Sequence, residues 1–108
     1  MKDEKNATKK DGLAIAKRIS DNKYNFITED GKLLSDEWFE NAHSFHDGLA
    51  KVQRSYKQYN FINKQGKFLS NEWFNYLDDF FIDGFARVQR TNGELAKIDK
   101  TGKLIKLQ

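Results

Sequence analysis

Three arginines, Arg18, Arg54 and Arg90, recur at equal intervals, and Gln53 and Gln89 accompany two of them. In a chain that repeats, equal spacing sets such side chains at matching places on successive units. Lys17, Lys51 and Arg87 are expected to form a second basic column beside them. A basic ladder next to aromatic rings suits a nucleic-acid backbone, whose phosphates and bases such groups bind. The same arginines equally suit pairing with the acidic series Asp36, Glu37, Glu72, Asp47 and Asp83. Trp38 and Trp73 allow two roles as well. They read as core anchors at matched positions, together with Phe39, Phe74, Tyr24 and Tyr59, or as exposed binding hot spots, where tryptophan is favoured. The anchor reading hides both indoles between layers.

Other chemistry finds little support. His43, His46 and Asp47 are metal-ligand types, but on a strand or turn a spacing of three does not converge two rings on one ion. The pairs Asp36-Glu37 and Asp78-Asp79 invite acid–base work, yet no nucleophile or base is set around them in a distinctive pattern. Adjacent acidic residues also suit a solvated turn or a helix start. The glycines lack phosphate-loop spacing. The expectation is therefore a protein that is not an enzyme and uses no metal or cofactor.

The elements that position these residues come from a repeat. Tyr24-Asn25-Phe26-Ile27 returns as Tyr59-Asn60-Phe61-Ile62. Leu34-Ser35-Asp36-Glu37-Trp38-Phe39 returns as Leu69-Ser70-Asn71-Glu72-Trp73-Phe74. The block from Asp47-Gly48 to Arg54 returns as Asp83-Gly84 to Arg90, and Asp11-Gly12-Leu13-Ala14 with Lys17-Arg18 is an earlier, worn copy. Gly31-Lys32, Gly66-Lys67 and Gly102-Lys103 align as a third series. The second unit holds one extra residue between Trp73 and Gly84.

Each unit reads as short strands joined by tight turns. Leu49 to Arg54 and Gln58 to Asn63 are strands, the second with period 2. Gly66 fits the last position of a three-residue hairpin loop, and Asn92-Gly93 is a strong hairpin signal. Phe68-Leu69 is a short third strand. Ser35 and Ser70, each followed by acidic or amide residues, read as helix N-caps, so a short helical or 3-10 turn is expected at each Glu-Trp-Phe segment. The expected fold is all-β: an open stack of three-stranded β-meander repeats, solenoid-like or a partial propeller. Residues 1–10 read as a disordered charged tail and 11–108 as one repeat domain, with units at about 11–46, 47–82 and 83–108.

Composition narrows the function. The 108 residues contain no cysteine and no proline, and 14% are aromatic, so aromatic rings must fill most of the core. The net charge is +3, of which the first ten residues carry four lysines against two acids. The remainder is nearly neutral, which favours paired arginines over a phosphate-binding column. No run of 18 apolar residues is present and the N-terminus is no secretory signal, so no membrane partner is expected and the cytoplasm is the expected location. Leu77, Phe80, Phe81, Ile82 and Phe85 form a dense apolar cluster; where the extra residue pushes Phe80 or Phe81 outward, a partner surface is expected.

The sequence resembles the WG-repeat family, also called KWG repeats. The family's aromatic-Gly-aromatic-Ile strand, running into an Asp/Asn-x-x-Gly-Lys turn, is matched by Tyr24 to Lys32 and Tyr59 to Lys67. Its Phe-Ser-Glu-Gly-Leu-Ala-x-Val block is matched by Phe45 to Val88's counterpart Val52, and again by Phe81 to Val88. Tyr-Asn stands twice where the family has Trp-Gly, and Asp36-Glu37-Trp38-Phe39 and its copy replace a Pro-containing turn. The resemblance implies a β-rich repeat architecture and a binding or scaffolding role, and it supplies no catalytic residues. Repeat architecture, aromatic richness and the lack of catalytic residues together lead to the expected function, a protein–protein interaction module, a small bacterial or phage protein that docks on or inhibits a macromolecular target. Nucleic-acid binding through the arginine column is the alternative, and self-assembly through open repeat ends a second. The candidate binding surface comprises Arg18, Arg54, Arg90, Lys51, Arg87, Phe80 and Phe81.

Overall fold

A computed structural model of the chain describes residues 4–10 and 12–107, and all the regular structure in them is β, with no helix. The strands are β1 (Glu4–Lys10), β2 (Leu13–Arg18), β3 (Lys23–Ile27), β4 (Asn41–Ala42), β5 (Leu49–Ser55), β6 (Gln58–Asn63), β7 (Tyr76–Leu77), β8 (Phe85–Gln89), β9 (Leu95–Asp99) and β10 (Leu104–Lys106). They form three antiparallel sheets, ordered β1-β2-β3, β4-β5-β6 and β10-β9-β8-β7. No helix among the described residues is long and apolar enough to cross a membrane.

Local chemistry explains the hairpins. Asp47 and Gly48 both have positive φ (54° and 83°), as do Asp83 and Gly84 (55° and 85°). Two such residues between the paired His46 and Leu49, or Ile82 and Phe85, make the turn whose twist matches the flanking strands. The Gly-Lys turns follow the expected three-residue pattern: the Gly66 amide donates to the Asn63 carbonyl (3.0 Å), and the Asn63 amide to the Lys67 carbonyl (2.9 Å).

Two expectations need correction. Glu4–Lys10, read as part of a disordered tail, forms β1 and pairs with β2 from Glu4↔Lys17 to Lys10↔Leu13. Without it β2 would present an unpaired backbone edge, and backbone pairing needs no apolar side chain. Met1 to Asp3 of that tail lie outside the described residues, as does Asp11. The second correction concerns the Glu-Trp-Phe segments. Asp36-Glu37 and Asn71-Glu72 form bends, and no helical turn forms from Ser35 to Trp38 or from Ser70 to Trp73. The Ser35 hydroxyl does accept the Glu37 amide (3.0 Å), and Ser70 that of Glu72 (3.0 Å). The backbone between them, however, is held from outside by a side chain of the neighbouring strand.

That side chain is Asn25, and Asn60 in the next unit; both are buried. The Asn25 amide group donates to the carbonyls of Ser35 (2.8 Å) and Glu37 (3.3 Å), while its oxygen accepts from the amides of Phe26 (2.7 Å) and Ser35 (3.3 Å). Asn60 repeats all four bonds, with Ser70, Glu72 and Phe61. The loop closes at Phe39, which exchanges backbone bonds with Tyr24 (2.7 and 2.8 Å), and at Phe74 with Tyr59 (both 2.9 Å). In the third sheet the equivalent residue is Ala96, and there the chain runs on without a loop as β10.

The core lies in two clusters. One contains Leu13, Phe26, Phe39 and Phe45 with Ala50, Val52 and Ile62. The other contains Leu49, Phe61, Phe74 and Leu77 with Ala86, Val88, Ala96 and Ile98. Thus β5 and β6 are buried on both faces, and the molecule is elongated, 49 × 25 × 19 Å. The Gly-Lys turns also meet the preceding unit. A Cβ added to Gly66 would lie 2.5 Å from the Leu34 carbonyl oxygen, and one on Gly102 would lie 2.5 Å from that of Leu69.

Candidate binding surface

Each arginine of the spaced series faces carboxylates. Arg54 donates to both oxygens of Glu37, at 2.6 and 3.0 Å, and lies 3.8 Å from the Trp73 ring centroid. Arg90 donates to Glu72 (2.8 Å) and Glu94 (2.8 Å), whose bonds hold its pKa above the ordinary value. Arg18 donates to Asp21 (3.1 and 2.6 Å) and lies 4.4 Å over Trp38. The repeat therefore brings these arginines to matching places but spends their charge inside the molecule. Exposed pairs of this kind add little to stability, because water and salt screen them. Glu37 and Glu72 of the expected acidic series take part. Asp47 pairs with Lys100 (3.8 Å) rather than with an arginine.

The indoles differ from the expected hidden anchors. Trp38 and Trp73 are only half-buried, each under a guanidinium, because Phe39 and Phe74 next to them fill the core completely. Tyr24 and Tyr59 are half-buried too. The second basic column also changes. Strand register sets Lys17, opposite Tyr24, in line with Gln53 and Gln89; the partner of Lys51 and Arg87 in the first sheet is Ile15, opposite Phe26. The reason is that Lys17 neighbours Arg18 in the chain, whereas Lys51 lies three residues before Arg54.

Lys51 itself is buried, 9% exposed. Its ammonium donates to the Leu77 carbonyl (2.6 Å) and to Asp79 (2.9 Å) and sits 4.8 Å over the Tyr59 ring. Asp79 and Phe80 belong to the stretch that carries the extra residue of the second unit. His43 and Asp78 hold equivalent places, bonding to the carbonyls of Lys51 and Arg87, and the lengthened loop beyond Asp78 sends Asp79 back to Lys51. Asn41, His43, Gln53 and Tyr59 complete a cleft of about 140 Å³. The Lys51 bond holds Asp79 below the usual carboxylate range. Burial pushes His43 down, partly offset by Asp79.

Both shifts have the same sign for stability. A group whose pKa falls on folding takes up its proton more readily in the unfolded chain, so its stabilisation is full above the unfolded value and is lost as pH falls. For His43 the loss begins below about 6.5, and for Asp79 below about 3.8. Asp79→Asn is expected to lower the thermal midpoint at neutral pH, with the gap to wild type closing below about pH 3.8. Thermal melts across the acid range check this; a gap independent of pH would refute a role for the carboxylate charge.

The two histidines have different surroundings. His43 lines the cleft, whereas His46 stacks beneath Phe80, 5.2 Å between centroids and 21° from parallel. No three His, Asp or Glu side chains gather as a metal site among the described residues. Asp78 and Asp79 also divide. Burial works to raise the pKa of Asp78, but bonds from the Arg87 backbone (2.8 Å), the Tyr76 hydroxyl (2.7 Å) and the Arg87 guanidinium (3.2 Å) outweigh it and hold it down.

No protein-family model and no curated protein matches the sequence.

One face of the third sheet is uncovered among the described residues. Along β8 and β9, Ala86, Val88, Ala96 and Ile98 turn to the second sheet, so Phe85, Arg87, Leu95 and Lys97 must take the opposite face. Two shallow grooves meet there at Arg87. One of about 320 Å³ is lined by Tyr76, Leu95 and Leu107, the other of about 350 Å³ by Ile82, Phe85 and Lys97. Ile82 is 62% and Leu95 57% exposed. Of the two phenylalanines expected at a partner surface, Phe80 is exposed and Phe81 packs on Phe61 (centroids 4.9 Å). Tyr76, Leu95, Lys97 and Leu107 were not among the expected surface residues. The signal for them is a difference between copies: Leu95 stands where the second unit has Tyr59, and Lys97 where it has Phe61.

Proposed function

We propose that this chain is a non-catalytic protein-binding module, a divergent WG-repeat protein whose units stack as solenoid-like layers, and that it docks through the outer face of its third sheet. The stacked reading is supported by the two glycine contacts at equivalent places and by core clusters shared between neighbouring sheets. One observation carries the docking reading. In the second sheet the equivalent positions Leu49, Lys51 and Phe61 are buried under the third sheet, whereas Phe85, Arg87, Leu95 and Lys97 have no layer over them among the described residues. Exposed apolar side chains grouped beside charged ones in this way suit a partner site. The carboxylates on Arg54 and Arg90 weigh against a phosphate-binding column.

The test is affinity capture with the immobilised full chain, with and without nuclease treatment, comparing wild type with Leu95→Lys and Ile82→Asp. Protein bound by wild type is expected to be lost from both variants. Retention of nucleic acid alone, or equal capture by the variants, would overturn the reading.

A further inference from the structure

The buried layer between the second and third sheets shows what the outer face asks of an occupant. There, residues 76–82 cover the second sheet with an acidic and aromatic segment. Asp79 meets Lys51 at 2.9 Å, Phe81 packs on Phe61 at 4.9 Å, and Phe80 stacks on His46. The outer face repeats the receiving half of this contact. Arg87 stands in the place of Lys51, Phe85 in that of Leu49, and Leu95 in that of Tyr59. Lys97, in the place of Phe61, adds a second cation at the centre.

These two cations are not matched by two acids. Asp78 holds Arg87 at 3.2 Å, but Lys97 rests over the Phe85 ring at 4.2 Å, with no carboxylate within ion-pair distance among the described residues. Covering an ammonium without supplying an opposite charge is costly. An occupant of apolar groups alone therefore fits poorly. A second copy, face to face, would bring Arg87 and Lys97 against their own like, which is unfavourable.

We infer, resting on the docking reading above, that the occupant is an acidic aromatic segment of a partner protein. It sets a carboxylate against Lys97 and Arg87 and rings against Ile82, Phe85 and Leu95, as residues 76–82 do one layer below.

The experiment titrates the isotope-labelled full chain with a synthetic peptide of residues 75–82, which carries two aspartates, and follows backbone amides by NMR. Saturable shifts are expected at Ile82 and along β8 and β9. The peptide with both aspartates changed to asparagine is expected to bind roughly tenfold more weakly, the loss of one charge-assisted bond. Lys97→Gln in the protein should weaken the acidic peptide about as much and leave the amide peptide unaffected. Absence of saturable shifts, equal affinity for the two peptides, or shifts confined to other sheets would overturn the proposal. So would sedimentation showing dimers that Leu95→Lys abolishes, because the occupant would then be a second copy, or an oligonucleotide moving the same amides more strongly. Failure of the peptide alongside protein capture that still depends on Leu95 would sink the acidic aromatic occupant alone; loss of both would sink the docking reading with it.

Discussion

Gly66→Ala is expected to cost about 2–5 kcal/mol, and Gly31→Ala only about 1–2 kcal/mol, although the two glycines occupy the same turn with the same φ of 85°. The shared part of the cost is the left-handed backbone, which a Cβ disfavours by roughly 1–2 kcal/mol. The rest comes from the neighbouring unit. A Cβ at Gly66 would press to 2.5 Å from the Leu34 carbonyl oxygen, while one at Gly31 would meet nothing within 4 Å. The obstacle is backbone, so no side-chain rotation relieves it, and the turn must lift away from the preceding unit. Gly102→Ala, against the Leu69 carbonyl at 2.5 Å, should match Gly66→Ala. Urea unfolding of the three variants measures the difference directly. Equal losses at all three sites would mean that the turns do not seat on their neighbours, and the stacked reading would lose its firmest contact.

These contacts mark where sequence legibility ends. Leu49 to Arg54 and Gln58 to Asn63 were readable as strands because alternation and flanking turns are local, and β5 and β6 follow them closely. The Gly66 turn was readable for the same reason. The Ser35 and Ser70 segments were misread because Ser followed by Glu is a local helix signal, whereas the bonds that decide their shape come from Asn25 and Asn60, ten residues earlier in the chain. Burial of Lys51 was hidden too. Its counter-ion sits 28 residues away, in a stretch that departs from the repeat by one inserted residue. The arginine column was legible as spacing, but spacing does not say whether a guanidinium faces solvent or Glu37. The uncovered outer face lay in the departures between copies, Tyr59 against Leu95 and Phe61 against Lys97, which a search for matches passes over.

The same asparagine supplies the other large expected effect. Asn60→Ala should destabilise the fold by about 2–4 kcal/mol, because it strips partners from buried backbone groups that water does not replace at full value. Four bonds go together: two to the carbonyls of Ser70 and Glu72, and two from the amides of Phe61 and Ser70. The side chain is 1% exposed, so the variant also leaves a small void. Asn60→Asp, of nearly equal volume, separates the causes. It fills the void but removes both donors and adds a buried charge, so it should be at least as damaging as alanine. The third sheet provides the converse. Ala96 occupies the equivalent position, 1% exposed, and β10 pairs straight past it through Lys106. Ala96→Asn would bury an amide with no loop to hold, and should cost about 1–3 kcal/mol. An asparagine that stabilises where the chain loops and destabilises where it runs straight would identify the side chain, and not the serine turn beside it, as the origin of the loop. Denaturant midpoints for the three variants decide it: a neutral Asn60→Ala, or a stabilising Ala96→Asn, would return that role to the backbone.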